Sequence, residues 1–137
     1  MRGDATIITA TDAYPLFRAA LDRVDGKEAI FVLPMDGDGR KITNPMLVAF
    51  GEERTAACEP KTIFRAVFNA DAESFIVAHN HPSGDPRPSR DDVVMTKKLI
   101  TGAELLGVRM LDHLVLGSPE CENGRGFVSV VEQLEDV

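Results

Sequence analysis

Apolar residues stand along the chain in short blocks, and their spacing alternates between that of strands and that of helices. Compact apolar runs of strand length indicate buried strands, and apolar positions recurring every three to four residues indicate helices. The predicted strands cover residues 5–9, 28–33, 42–50, 74–78, 108–116 and 126–131. The first predicted helix has Thr11 or Asp12 as its N-cap and runs to Arg23. The other two predicted helices cover residues 60–70 and 93–107. This alternation predicts a mixed α/β (α+β) fold.

Proline and glycine divide the second predicted strand from the third. Pro34 interrupts the apolar run at residues 28–33, which favours a strand end or an edge strand. Asp36-Gly37-Asp38-Gly39 is a strong hairpin-turn pattern. An edge at residues 29–33 would be available for pairing with a second copy, so we expect that a homodimer can form.

Length and composition agree with one compact unit. The chain has 137 residues, 44% of them hydrophobic, which is enough for one core, and we expect a single domain over residues 1–137. No apolar run approaches the roughly 18 residues that span a membrane, and the sequence opens without a secretory leader. Cys58 and Cys121 are far apart and have no partner pattern. We therefore expect free thiols in a reducing cytoplasm and no membrane partner.

The charge balance is acidic. Twenty-two acidic residues against fifteen basic ones give a formal net charge of −7. Nucleic-acid-binding domains usually carry a basic surplus or stripe. Lys97-Lys98, Arg87 and Arg90 are typical of a solvated helix face and loop. The chain is therefore expected to bind nucleic acid weakly or not at all.

The candidate chemistry lies where the strand at residues 74–78 ends and the helix at 93–107 is about to begin. His79 and His81 are two residues apart, so in a strand both side chains point to the same face. After a loop containing three prolines, Ser89 and Asp92 form a pattern close to a capping box. Two imidazoles and a carboxylate, with a fourth position left to water, make a catalytic zinc site.

This stretch also resembles a known family. His79-x-His81-Pro82, six residues, Ser89, two residues and Asp92 resemble the signature of the JAMM (MPN-type) metalloproteases. The surrounding His-Asn-His-Pro-Ser-Gly and Pro-Ser-x-x-Asp wording is similar to the RadC branch of that superfamily, whose domain is also called JAB. Spacing from His81 selects Asp92 as the acidic position.

The resemblance covers residues 28–116, including Ile63-Phe64-Arg65, Leu105-Leu106-Gly107 and Leu111-Asp112-His113. It implies a JAMM/MPN-type fold with a cytidine-deaminase-like core, in which helices flank a mixed central sheet. RadC-like proteins are associated with DNA repair, and full-length members usually carry an N-terminal helix-hairpin-helix segment. We expect the present chain to lack that segment.

The resemblance also implies roles for individual residues. His79, His81 and Asp92 would hold Zn²⁺, Glu28 would be the general base, and Ser89 would stabilise an oxyanion. The implied reaction is hydrolysis of an amide bond, peptide or isopeptide, in a peptide or protein substrate. The enzyme class is therefore expected to be a zinc metallopeptidase-like hydrolase.

Three other functions remain to be weighed. A zinc deaminase would need His-x-Glu and Pro-Cys-x-x-Cys, and this chain has neither. A metal-dependent nuclease or DNA-repair accessory is suggested by the family association, and the acidic charge disfavours it. A non-enzymatic interaction module is disfavoured by the complete set of ligands, base and serine.

Some neighbouring polar residues have no single interpretation from the sequence. His113 is either a group that supports a metal ligand or a core residue paired with Asp112, and we favour the structural role. Asn80 and Ser83 are expected to shape the loop or to support the ligands.

Overall fold

A computed structural model describes residues 9–24, 27–51 and 58–135. The predicted strand at residues 5–9 lies outside this part of the chain apart from Thr9, so that prediction stays untested. The described helices are α1 (Ala10–Leu21), α2 (Pro60–Asn69), α3 (Arg90–Leu106) and α4 (Val130–Glu135). The described strands are β1 (Glu28–Met35), β2 (Met46–Gly51), β3 (Ser74–Asn80), β4 (Arg109–Leu116) and β5 (Phe127–Ser129). A single turn at Cys121–Gly124 precedes β5.

The five strands form one mixed sheet in the order β2-β1-β3-β4-β5. β3 and β4 are parallel and are joined by the α3 crossover, whereas the other neighbouring strands are antiparallel. The mixed central sheet flanked by helices confirms the predicted fold class.

Hydrophobic cores cover both faces of the sheet. Along β1, Ala29, Phe31 and Leu33 join the core beneath α1, while Ile30 and Val32 join the core beneath α2 and α3. Successive side chains of a strand point to opposite faces, so a strand covered on both sides needs a continuous apolar run. This double burial explains why the strands appear in the sequence as blocks rather than as an alternating pattern.

Several predicted element boundaries were wrong, among them the start of α3, which lies at Arg90 rather than at residue 93. Helix α1 begins earlier than expected, because its N-cap is Thr9, which forms a reciprocal capping box with Asp12. The third predicted strand starts at Met46 rather than at residue 42. The last strand is only three residues long, since the chain turns into α4 at Val130.

The prediction that the strand at residues 29–33 is an edge was also wrong. β1 lies between β2 and β3, and it continues through Pro34 to Met35. The Pro34 carbonyl accepts a hydrogen bond from the Ile42 N–H, on the side of β1 away from β3. The N–H and C=O of a strand residue point to the same side, so the N–H that proline lacks would also point away from β3. The β2 ladder has already ended at Val32. Pro34 therefore removes no hydrogen bond from the β1–β2 or β1–β3 ladder, and β1 offers no edge for a homodimer.

One end of the sheet gathers the candidate residues. The carboxyl ends of β3 and β4 lie beside the start of the antiparallel strand β1. His79 is therefore close to the beginning of β1, where Glu28 is the first residue. Ligand sites in open α/β sheets lie outside the carboxyl ends of parallel strands, and this end carries the candidate site.

Among the described helices, none has both the length and the apolar character needed to cross a membrane. Cys58 and Cys121 are unpaired, as expected.

Candidate metal centre

Three side chains converge at the end of β3. His79 Nε2 and His81 Nε2 are 3.3 Å apart. Asp92 Oδ1 lies 3.1 Å from the first nitrogen, and Asp92 Oδ2 lies 3.1 Å from the second. The structure thus brings the three predicted ligands together, with one ligand atom from each within 4.8 Å of the others.

The first turn of α3 fixes the direction of the Asp92 side chain. Ser89 is the N-cap, and its hydroxyl accepts a hydrogen bond from the Asp92 N–H at 3.1 Å. In return the Ser89 N–H donates to Asp92 Oδ2 at 2.8 Å. Each partner of a capping box satisfies a main-chain donor of the other residue. The box therefore starts the helix and aims a ligand at the same time.

One oxygen of this carboxylate lacks a hydrogen-bond donor. Asp92 Oδ1 is fully buried, and within the described part of the chain no hydrogen bond reaches it. A buried polar atom without a partner costs free energy, unless an ion or water satisfies it. The short distance from this oxygen to His79 Nε2 is therefore explained if both atoms present lone pairs to one cation.

The spacing of the donor atoms suits a zinc-sized ion. Tetrahedral ligands at 2.0–2.1 Å from zinc stand about 3.3–3.4 Å apart. The two Nε2 atoms are 3.3 Å apart, and each lies 3.1 Å from a different oxygen of Asp92, so these separations are close to that value. The residues present therefore fit a metal held by His79, His81 and Asp92.

His81 has its proton on the nitrogen that faces away from this point. His81 Nδ1 lies 2.9 Å from the Asp85 carbonyl oxygen, which only accepts hydrogen bonds. In the neutral ring Nδ1 therefore carries the proton, and Nε2 presents its lone pair to the site. The Asp92 carboxylate raises the pKa of His81 against the lowering effect of burial, and the Glu28 carboxylate adds to the rise.

Burial alone would raise the pKa of Asp92, but the adjacent His79 and His81 rings and the hydrogen bond from the Ser89 N–H hold it well below its usual range. Asp92 is therefore ionised at neutral pH. A buried anion beside two imidazole lone pairs is a donor set suited to a divalent cation.

His113 supports His79 and does not pair with Asp112. His79 Nδ1 is 2.8 Å from His113 Nε2, and His113 Nδ1 is 2.6 Å from Thr96 Oγ1. Burial, followed by the neighbouring His79, lowers the pKa of His113 to about 3, so the ring is neutral. The Asp112 carboxylate accepts instead from Ser129 Oγ and from the His113 main chain. The favoured interpretation of His113 was wrong, and the alternative as a supporting group is the one observed.

Asn80 holds the main chain on both sides of Glu28. The Ala29 N–H donates to Asn80 Oδ1 at 2.8 Å, and Asn80 Nδ2 donates to the Lys27 carbonyl at 3.2 Å. These groups belong to the two peptide planes that flank the Glu28 Cα. Fixing both planes fixes the direction in which the Glu28 side chain leaves β1, which by strand alternation is the His79 face.

Ser89 is exposed, whereas its capping partner Asp92 is buried. The Ser89 hydroxyl accepts from the Asp92 N–H, so its own proton remains available to a substrate oxygen. Beside His81, a cleft of about 520 Å³ opens between the loops after β3 and β4 and the end of α1. Its walls include Ser83, Gly84 and Ser118. Of the three candidate ligands, His81 is the one that borders this cleft.

Comparison with known proteins agrees with this geometry. The profile of the RadC-like JAB domain family matches residues 7–133. The chain belongs to that family. The match covers the ligands, Glu28, Ser89, Thr96 and His113, so the whole centre lies within the RadC-like domain.

Several curated relatives are UPF0758 proteins. One from Methanosarcina mazei is 35% identical over 111 residues, which cover 81% of this chain and 48% of the relative. One from Caldanaerobacter subterraneus subsp. tengcongensis is 42% identical over 80 residues, 58% of this chain and 32% of the relative. One from Bacillus pumilus is 42% identical over 86 residues, 63% of this chain and 36% of the relative. The RadC-like domain thus corresponds to less than half the length of these relatives.

Proposed function

We propose that this RadC-like domain is a zinc-dependent hydrolase that cleaves amide bonds in peptides or isopeptides. The family and the His79, His81 and Asp92 cluster fit a metal-dependent hydrolase. The observation that carries the proposal is the buried Asp92 Oδ1, which lies 3.1 Å from His79 Nε2 and accepts no hydrogen bond within the described residues. Zinc is favoured over magnesium or calcium because two of the three donors are imidazoles.

When bound, zinc supplies Lewis-acid chemistry by polarising a carbonyl and lowering the pKa of coordinated water to about 7. His79, His81 and Asp92 would hold the ion with three protein ligands, and three protein ligands are typical of catalytic rather than structural zinc sites.

Glu28 is proposed to move the proton. The Glu28 carboxylate contributes to the raised pKa of His81, and Asn80 fixes the main chain of Glu28. Glu28 takes a proton from the attacking water and then delivers it to the leaving amine nitrogen. Transfer of this kind typically contributes 10²–10⁴-fold to a rate.

Ser89 is proposed to stabilise the developing negative charge on the substrate oxygen. Its hydroxyl keeps a proton to donate, because the helix cap uses only its lone pair. Loss of one such donor costs about 2.7–4 kcal/mol in a comparable oxyanion site.

The proposed substrate is a peptide or protein, acted on in the cytoplasm. The net charge of −7 disfavours nucleic acid as the partner, because binding to its phosphates depends on basic side chains.

Metal content and amide hydrolysis test this proposal together. Protein purified without added metal should hold about one zinc per chain, and His79→Ala/His81→Ala should hold none. On a panel of fluorogenic peptides and Lys-linked isopeptides, Glu28→Gln should keep its zinc and lose at least about 100-fold in turnover. Asp91→Asn, at the exposed position next to Asp92, is the matched control for metal binding.

Each contrary result has a distinct meaning. Absence of zinc uptake by the wild type would overturn the hydrolase. Turnover unchanged in Glu28→Gln would overturn the general base. Stoichiometric zinc without hydrolysis of any panel member would favour an interaction module, and zinc-dependent nicking of plasmid DNA would favour a nuclease.

A further inference from the structure

We propose that Thr96 and His113 are positioning residues that hold the His79 ring in the tautomer able to bind metal, with its proton on Nδ1. This inference rests on the proposed metal site and adds two residues outside the ligand set. It is carried by a chain of hydrogen bonds running from His79 on β3, through His113 on β4, to Thr96 on α3.

The direction of the chain is set at its far end. The Thr96 hydroxyl donates to the Asp92 carbonyl oxygen at 2.8 Å, and a carbonyl offers no proton in return. The one hydroxyl proton of Thr96 is thereby used. The 2.6 Å contact between Thr96 Oγ1 and His113 Nδ1 must therefore carry the proton of His113.

The direction of donation at Thr96 then determines the tautomers of both imidazole rings. A neutral imidazole has one donor and one acceptor nitrogen, so a proton on His113 Nδ1 leaves Nε2 as an acceptor. His79 Nδ1, at 2.8 Å, is then the donor. The remaining nitrogen, His79 Nε2, presents its lone pair to Asp92 and His81. The opposite direction would place a proton on His79 Nε2 and block the metal.

The series of hydrogen bonds leads back to Asp92, another proposed ligand. Thr96 lies four residues after Asp92 on the same face of α3, and its bond reaches the main chain of that same ligand. His79, His113 and Thr96 are each at most 2% exposed, so bulk water does not compete with these bonds. The orientation of one ligand is thus tied to the seating of the helix that supplies another.

Affinity for zinc alone, measured by competition with a chromophoric chelator, tests the inference. Thr96→Val keeps the side-chain shape but removes the acceptor, so His113 can reverse and turn His79 Nε2 into a donor. We expect zinc to bind 10–100-fold more weakly, the usual loss when such a supporting group is removed. Thr96→Ser restores the hydroxyl and should bind within about threefold of the wild type, a small part of that loss. Thr101→Val, at an exposed position of the same helix, is the matched control.

A second measurement does not need metal. Two-bond ¹H–¹⁵N spectra of the metal-free protein should show the His79 proton on Nδ1 in the wild type and on Nε2 in Thr96→Val. A packing defect alone would lower the stability of Thr96→Val without moving this proton.

Wild-type zinc affinity in Thr96→Val, or a wild-type His79 proton on Nε2, would overturn the positioning chain. Because neither measurement uses a substrate, failure of the proposed hydrolase activity can be distinguished from failure of the positioning chain. Tight zinc binding with the expected variant pattern and no hydrolysis would overturn the enzyme and support the chain.

Discussion

Two buried carboxylates on opposite faces of the sheet are satisfied in contrasting ways. Asp112 lies on the α1 face, where both of its oxygens accept from Ser129 Oγ and one also accepts from the His113 N–H. Asp92 lies on the α3 face, where one oxygen accepts from the Ser89 N–H and the other has no donor in the described part of the chain.

The difference separates a structural acid from a site acid. Burial raises the pKa of Asp112, although its hydrogen bonds oppose the rise. The bonds of Asp112 join β4 to β5 and the start of α4, and the Ser129 hydroxyl in turn accepts from the Glu132 N–H. Asp92 is strongly acidic despite its burial. Burial alone therefore does not distinguish the two carboxylates, whereas the lack of a donor at one Asp92 oxygen does.

Replacing the two acids should separate them most strongly in zinc binding. Asp92→Asn removes the only charged ligand and should weaken zinc binding by more than about 100-fold, beyond the 10–100-fold range of supporting groups. Asp112→Asn should stay within a few-fold of the wild type. Chelator competition on both variants decides this, and equal losses would remove the distinction.

Of the two acids, only Asp92 should couple zinc binding to stability. At a free zinc concentration of 100 times the wild-type Kd, the free energy of unfolding should rise by about 2.7 kcal/mol in the wild type and in Asp112→Asn. Because Asp92→Asn should bind zinc more than about 100-fold more weakly, its rise at the same zinc concentration should stay below about 0.4 kcal/mol. Chemical denaturation with and without zinc measures these rises, and a rise in Asp92→Asn as large as that of the wild type would place the ion elsewhere.

Truncation of the structural acid should act on stability. Asp112→Ala leaves the Ser129 hydroxyl and the His113 N–H without their acceptor, at a cost of about 1–3 kcal/mol. Denaturation of the metal-free protein measures the loss. Folded Asp112→Ala with zinc content below that of the wild type would contradict a purely structural role.

The smallest expected effect is a pH dependence. The folded pKa of Asp112 is raised above its usual 3.8, so between those two values the folded state binds more protons than the unfolded state. Stability should therefore fall as pH rises through this window, by at most about 1.4 kcal/mol per pH unit. The free energy of unfolding, measured for the wild type and for Asp112→Asn across pH 3–6, isolates the contribution of Asp112. The same pH dependence in both proteins would refute this prediction.

The sequence predicted those parts of the site that depend on short chain separations. Two histidines at i and i+2 of a strand, and an acid in the first turn of the next helix, are local patterns, and the structure places them together. The capping box of Ser89 and Asp92 is local as well. Most of the described strands and helices also followed from apolar blocks, since those blocks are buried on one or both faces.

The missed features depend on contacts between distant segments. Whether His113 meets His79 or Asp112 is decided by the pairing of β4 with β3, which brings together residues 34 apart. Asn80 contacts the peptides beside Glu28 because β1 lies next to β3. Pro34 was placed at an edge because its local preference does not reveal which side of the strand lacks a partner.

The attachment of Asn80 to β1 has a consequence for the order in which the centre can be assembled. His81 and Asp92 are separated by 11 residues, whereas Ala29 and Asn80 are separated by 51. Closing the longer loop costs about 1.4 kcal/mol more chain entropy. A chain in which β1 has detached would keep its ligands but lose the carboxylate proposed to activate water. Hydrolytic competence would then belong to the completed sheet, and a half-folded chain that captures zinc would remain inert.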